Sequence, residues 1–302
     1  MEDIERMEKI VEVYDVTSSK IKNMQLNFYV NREDITALMG NHNCGKTYIL
    51  ELLLGYSPYE TGTIKIFGNK NIIVEGPRIA YIPEHFKGVS EFSILQNFFY
   101  FSKIYKKNGI EEIYRLCEEF QLDISNKRKV GKIPVETIKR LVLALSVYGG
   151  ADLIIWDMPF DNLDGGEIEC IKHYIKKLNK EKKITFLLTG TDVGNYLDFA
   201  DSYIVVKDGR VQKQIAASNL DKVNQKKCEI HTSDSDLAAA ILYKENVKFD
   251  VIEKNIIVIY EMQCISDIVA LLVQKGIKIE EVLNRGENKY SYLMKIMKGE
   301  AE

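Results

Sequence analysis

The chain has 302 residues, a formal net charge of -3 and an apolar fraction of 46%, which gives no basic bias toward nucleic acid and fits a folded globular protein of one large or two ordinary domains. Apolar runs such as Leu141 to Ser146 and Leu153 to Trp156 fall far short of the roughly 20 residues that span a bilayer, so any membrane association is expected to run through a partner. The start, "MEDIERMEKIVEVYD", lacks the apolar core of a secretory signal, and five cysteines (Cys44, Cys117, Cys170, Cys228, Cys264) without a C-x-x-C pair suggest neither a disulfide framework nor a zinc site, hence a reducing cytoplasm.

In chain order, "KIVEVY" and "QLNFYV" read as strands, and "DITALM" as a short buried strand ending at Gly40. "KTYILELLLG" has helical spacing and a stop at Gly55. "GTIKIFG" and "IAYI" are extended, and Glu91 to Glu119 reads as helical throughout. Val135 to Val147 is a helix, "DLIIWD" a buried strand, Glu167 to Lys180 a helix and "ITFLLT" a buried strand. "SYIVVKDGRV" is a hairpin turning at Asp208-Gly209. The alternation predicts an α/β domain around a largely parallel sheet over residues 1–220, with a helical insert at about 88–148. From residue 221 to 302 the segments "CEIHTSD", "LAAAILYKE", "KFDVIEK", "NIIVIYEM", "ISDIVALLVQKG" and "IKIEEVL" spell β-α-β-β-α-β around a turn at Lys254-Asn255, a small α+β ferredoxin-like domain.

"GNHNCGKT", comprising Gly40, Asn41, His42, Asn43, Cys44, Gly45, Lys46 and Thr47, fits G-x-x-x-x-G-K-[ST] between a strand and a helix. In such a loop backbone N–H groups and a helix N-terminus surround a phosphate, Lys46 reaches the outer phosphates, and Thr47 offers its hydroxyl to Mg²⁺. Asn43 stands where many such loops have glycine, and asparagine tolerates the left-handed backbone region. Asp157 ends a buried strand, the place for the magnesium-side aspartate of a phosphate site. A phosphate-bearing ligand with Mg²⁺ is expected there.

The chain resembles, from about Val11 to its C-terminus, the ATP-binding subunits of ABC transporters. "GNHNCGKT" is similar to the family's Walker A loop, "LIIWD" to Walker B, and "NLD" with Asp164 to the D-loop. "YIPE" lies at the Q-loop, "RKVGKIPVETIKRLVLAL" at the signature and its helix, and "LLTGTD" at the switch. The helical insert and the trailing domain resemble the subfamily serving exporters of drugs, bacteriocins and lantibiotics, including self-immunity pumps. The resemblance implies a P-loop NTPase fold, ATP with Mg²⁺ at Thr47, Glu84 and Asp157, and a dimer interface with Pro134, Val135, Glu136 and Asp164. It also implies membrane permease partners, a second ATP-binding subunit, and a cytoplasmic location on the inner membrane face; no nucleic-acid partner is expected.

The departures from the family pattern bear on hydrolysis. Met158 stands where the catalytic glutamate follows the Walker B aspartate, Thr191 where the switch histidine lies, and Ile133 to Thr137 where the family has L-S-G-G-Q. Glu84 replaces the Q-loop glutamine and keeps an oxygen ligand, and the adenine-stacking aromatic falls near Ser19 and Lys20. Met158 has no proton acceptor, and a lost general base typically costs about 10² to 10⁴ in rate. Without its glycines the signature allows no close backbone approach, and Glu136 would bring a negative charge toward a facing γ-phosphate. Asp161 is the candidate for a relocated base. The aromatics Phe92, Phe98, Phe99, Tyr100, Phe101 and Tyr105 cannot all face inward, and by resemblance they lie where a permease docks. The basic run Asn126 to Lys129 reads as a solvated turn.

Two readings remain open from sequence. One is a transporter subunit whose own ATP site is mainly structural; the other is a non-hydrolysing, nucleotide-gated regulatory module. A soluble member acting on ribosomes or DNA is disfavoured by the acidic balance.

Overall fold

A computed structural model describes residues 8–223, 228–253, 255–260, 265–284 and 288–300. The chain divides into two compact units. The larger runs to Ala217 and takes in the chain again from Ile296; the smaller is Ser218–Lys295.

The larger unit is an α/β fold built on a six-stranded sheet. In spatial order its strands are Ile79–Ile82, Leu153–Trp156, Thr185–Gly190, Ile35–Met39, Ser202–Lys207 and Arg210–Ala216. The first five run parallel, and the hairpin at Asp208-Gly209 adds the last strand antiparallel. "ITALM", "LIIW" and "TFLLTG" are buried at every position, as expected for parallel strands covered on both faces. A second, antiparallel sheet pairs Lys9–Thr17 with Leu26–Asn31 on one side and Thr61–Ile66 on the other. Its inward residues Val11, Val13, Phe28 and Ile64 join Leu38, Ile49, Leu50 and Ile155 in one core.

The parallel register brings the carboxyl ends of the central strands together: Met39 lies beside Gly190, and Trp156 beside Leu188. Open α/β sheets bind ligands outside these ends. Here the crevice receives the loop Gly40 to Gly45, which leads into helix Lys46–Leu53.

The helical insert differs from the sequence reading. The expected single helix from Glu91 to Glu119 is two helices, Ile94–Tyr105 and Ile110–Glu119. Ser93 and Gln96 form a reciprocal cap at the first one's start, so it begins three residues later than Glu91. Lys106 then turns left-handed at φ 53°, and Asn108-Gly109 supplies weak helix formers at the gap. Phe98 is fully buried, whereas Phe99 and Tyr100 are 40% and 44% exposed. The aromatic run therefore divides between core and surface.

The smaller unit orders its strands Phe249–Glu253, Ile256–Ile259, Cys228–Thr232 and Ile279–Asn284, all antiparallel. With helices Ser235–Lys244 and Ile265–Gln274 between them, this is the ferredoxin-like arrangement. Ile230, Leu242, Ile257 and Leu272 are its buried centre. Lys254 of the expected turn and Cys264 lie outside the described residues. Two helices, Ala217–Val223 and Lys289–Lys298, are additions that the sequence reading does not anticipate.

One packing constraint at the sheet end is testable. Gly190 closes its strand against the ring of Tyr196, where an added Cβ would fall 2.2 Å from Cε2. Tyr196 is held there by its hydroxyl, which donates to the Thr189 carbonyl at 2.5 Å. Gly190→Ala should therefore cost about 1–3 kcal/mol in denaturant unfolding. Gly165→Ala, with open space around it, should cost nothing measurable.

Candidate functional site

The loop Gly40 to Thr47 is held in shape by its own backbone. Asn43 has φ 59° and Gly45 φ 100°, so Asn43 occupies the left-handed region that its residue type tolerates. Gly40 is packed so closely that a Cβ would lie 2.4 Å from Cys44 Sγ and 2.5 Å from the Val206 carbonyl oxygen. The Gly209 amide donates to the Cys44 carbonyl at 2.9 Å, tying the loop to the hairpin turn. Lys46 is only 7% exposed, and its Nζ donates to the carbonyls of Gly40 and Asn41 at 2.8 and 2.9 Å. Its amine rests on the loop it would leave to meet a phosphate.

Asp157 is 2% exposed at the end of strand Leu153–Trp156. A carboxylate buried this deeply requires hydrogen bonds. Thr47 Oγ1 donates to Oδ2 at 2.9 Å, and Thr189 Oγ1 donates to Oδ1 at 2.5 Å. The same Thr189 hydroxyl accepts the Met158 amide at 2.9 Å. Behind it, the Tyr203 hydroxyl donates to the Tyr196 carbonyl at 2.9 Å. Full burial, with Asp161 and Asp157 nearby, pushes the Tyr196 phenol well above its ordinary range, so it stays a donor.

A cavity of about 310 Å³ opens over these groups. Of the residues expected at the site, His42, Asn43, Gly45, Lys46, Thr47, Glu84, Asp157 and Met158 line it. Gly40, Asn41 and Cys44 act behind the wall through the contacts above. Thr191 is half-buried and is not among the lining residues.

Met158 is 6% exposed and holds a left-handed backbone at φ 52°, an uncommon conformation for a bulky residue. Its carbonyl accepts from Lys139 Nζ at 3.2 Å, and the Pro159 carbonyl accepts from the same amine at 2.6 Å. Lys139 is 7% exposed. Burial lowers its pKa from 10.5 to about 8, partly opposed by Asp161 and Glu84. Asp161 lines a second cavity, of about 320 Å³, together with Lys139 and Trp156, and not the one over Lys46.

The signature-position residues lie elsewhere on the surface. Pro134 precedes helix Val135–Gly149 with extended backbone, and Val135 is 41% exposed. The Glu136 carboxylate is engaged within the chain. It accepts from Arg140 Nη2 at 3.2 Å and from the Cys170 thiol at 3.1 Å, so its charge is largely compensated at home. Asp164 caps helix Gly165–Lys182, accepting the Glu167 amide at 2.9 Å while Glu167 accepts the Asp164 amide at 3.0 Å.

Sequence reasoning misses Thr189, Lys139 and Tyr48, each of which touches the site or its frame. A polar residue inside the apolar run "TFLLTG" was the available signal for Thr189, and a lysine on the apolar face of helix Val135–Gly149 that for Lys139.

The chain is similar to known ATP-binding proteins of transporters. The model of the family described as ABC transporter matches residues 23–161. The bacitracin transport ATP-binding protein BcrA of Bacillus licheniformis is 26% identical over 307 residues, covering 97% of this chain and 99% of that protein. Its namesake from Enterococcus faecalis is 26% identical over 99% of this chain and 98% of its own length. Among solved structures, an ATP-binding cassette of an ABC transporter in its ADP conformation aligns with TM-score 0.61 at 17% identity, over 71% of this chain and 94% of that one.

Two outcomes follow from the frame around Asp157. Thr189→Val leaves Asp157 Oδ1 and the Met158 amide without this partner and should cost about 2 kcal/mol in urea unfolding; a change below about 0.5 kcal/mol would show that water restores both bonds. Lys139 loses its proton at about pH 8 when folded and near 10.5 when unfolded. Between those values the unfolded chain binds more protons, so this group's contribution to stability rises with pH. The stability difference between the parent and Lys139→Met should climb across that window, and a flat difference would contradict the buried-amine assignment.

Proposed function

We propose that this chain, an ABC-type ATP-binding subunit of a transporter, binds Mg-ATP, turns it over slowly at best, and serves an exporter of peptide antibiotics. The observation that carries the reading is the contrast inside one cavity. The phosphate-loop parts, Lys46, Thr47 and Asp157, are in register, while the position beside Asp157 presents Met158, which accepts no proton.

Thr47 Oγ1 and the Asp157 carboxylate form an all-oxygen pair suited to Mg²⁺, which takes one or two protein oxygens and fills its shell with water and phosphate. Mg²⁺ shared with a nucleotide needs no larger protein cluster, since the phosphates complete its shell. When bound, the ion supplies charge neutralisation between the outer phosphates. Lys46, which rests on the Gly40 and Asn41 carbonyls, would hold the phosphates, and Glu84 faces the same space.

Weak hydrolysis is supported by three features. Met158 cannot orient or deprotonate water, Thr191 is not among the residues lining the cavity, and Asp161 opens onto the other cavity. The exporter assignment is supported by the two full-length bacitracin-transport relatives. No helix among the described residues is long and apolar enough to cross a membrane. Membrane permease partners are supported by the likeness to transport ATP-binding proteins. The half-exposed Phe99, Tyr100 and Tyr105 offer an aromatic surface for one. A second ATP-binding subunit with its own glutamate would supply useful turnover, since a homodimer would repeat the same loss in both sites. A nucleotide-gated regulatory module is the second reading, favoured by the presence of the phosphate-loop residues Lys46, Thr47 and Asp157 beside Met158.

Lys46→Ala should weaken ATP by about 100-fold or more in calorimetric titration; undiminished binding would defeat the phosphate-loop assignment. Met158→Glu alone should raise turnover of the isolated chain by less than about tenfold, read by phosphate release. Purification of tagged chain from its native membranes tests the assembly. A permease with a second ATP-binding subunit supports the exporter, and a permease alone supports the gated module.

A further inference from the structure

The sequence leaves the nucleobase without a ring to stack on, because the segment at Ser19 and Lys20 carries no aromatic. In the structure that segment is met by a ring from another element. Tyr48, in the first turn of helix Lys46–Leu53, lines the phosphate cavity and is half-buried. Its hydroxyl lies 2.6 Å from Ser18 Oγ, a buried hydroxyl that also accepts the Lys20 amide at 3.4 Å. Lys20 Nζ sits 5.0 Å from the ring centroid and is itself anchored, donating to Ser57 Oγ at 3.2 Å, while Ser57 donates to Glu51 at 2.9 Å.

We propose that Tyr48, fixed by Ser18 and Lys20, is the nucleobase-contacting residue of this site, so that the stacking ring comes from the phosphate-loop helix. The assignment rests on the reading of the cavity as a nucleotide site. A ring held at its hydroxyl and flanked by a cation loses little freedom when a base packs on it, and aromatic faces accept any base by stacking. Tyr48 also packs against the apolar core, and a role confined to that packing would be indifferent to whether the ligand has a base. That difference decides the test.

Full-length parent, Tyr48→Ala and Tyr48→Phe are titrated in Mg²⁺ with ATP and, separately, with inorganic tripolyphosphate, which keeps the phosphates and lacks the base. Tyr48→Ala is expected to weaken ATP by roughly ten- to a hundredfold and tripolyphosphate by less than about threefold; Tyr48→Phe, which keeps the ring and loses its Ser18 partner, should fall between parent and Tyr48→Ala for ATP and match the parent for tripolyphosphate. Retained tripolyphosphate binding shows that the variant keeps its loop. Equal weakening of both ligands, unchanged ATP binding or tighter ATP binding would each overturn the assignment. Failure of the parent to bind either ligand would overturn the nucleotide-site reading itself, and Tyr48's role with it.

Discussion

The buried carboxylate of Asp157 is the constraint on which the site depends. A carboxyl group at 2% exposure is costly unless its oxygens are engaged. Both are engaged by threonine hydroxyls from different elements, Thr47 on the phosphate-loop helix and Thr189 on the neighbouring strand. Hydrogen bonds to a charged group contribute about 1.5–3 kcal/mol each, so this pair locks the loop's helix to the sheet. The lock holds only because the parallel register sets Trp156 beside Leu188 and Met39 beside Gly190. Thr189 extends it one residue further by accepting the Met158 amide.

That arrangement makes the shape of the loop independent of the side chain that follows Asp157. Anion binding by the loop uses backbone N–H groups, a helix N-terminus and a lysine, all set by the fold. General-base catalysis uses one side chain, which can be exchanged without moving anything else. Met158 fills its position as a buried apolar residue, and its backbone is pinned from both sides, by Thr189 at the amide and by Lys139 at the carbonyl. The left-handed φ of 52° is thus carried by its neighbours, a condition under which strained backbone persists.

The same separation changes the electrostatic picture at the signature position. Glu136 read as an isolated residue is a negative charge offered to a partner's phosphate. In the fold it is bound to Arg140 one turn along its own helix and to Cys170 on another. Burial and the Glu136 carboxylate raise that thiol to about 11, which keeps it protonated and donating. The surface presented there is less repulsive than the sequence suggests, and Val135 is its exposed apolar element.

The sequence by itself determined the order of the strands and of most helices, the glycine-bounded loop between a buried strand and a helix, the aspartate at a strand end and the methionine after it. These are legible because hydrophobic periodicity, glycine placement and motif spacing are properties of neighbours along the chain. Asn43 is one such case, its left-handed backbone foreseeable from residue type alone. Tertiary structure alone decided the rest. The expected long helix from Glu91 breaks at Lys106 to Gly109, where Lys107 reaches across to the Tyr148 carbonyl at 2.6 Å. Thr189 reaches Asp157 across 32 positions of sequence, Lys139 reaches Met158 across 19 and Tyr48 reaches Ser18 across 30. No local pattern encodes such pairs, because what unites them is sheet register and the packing of helices on it.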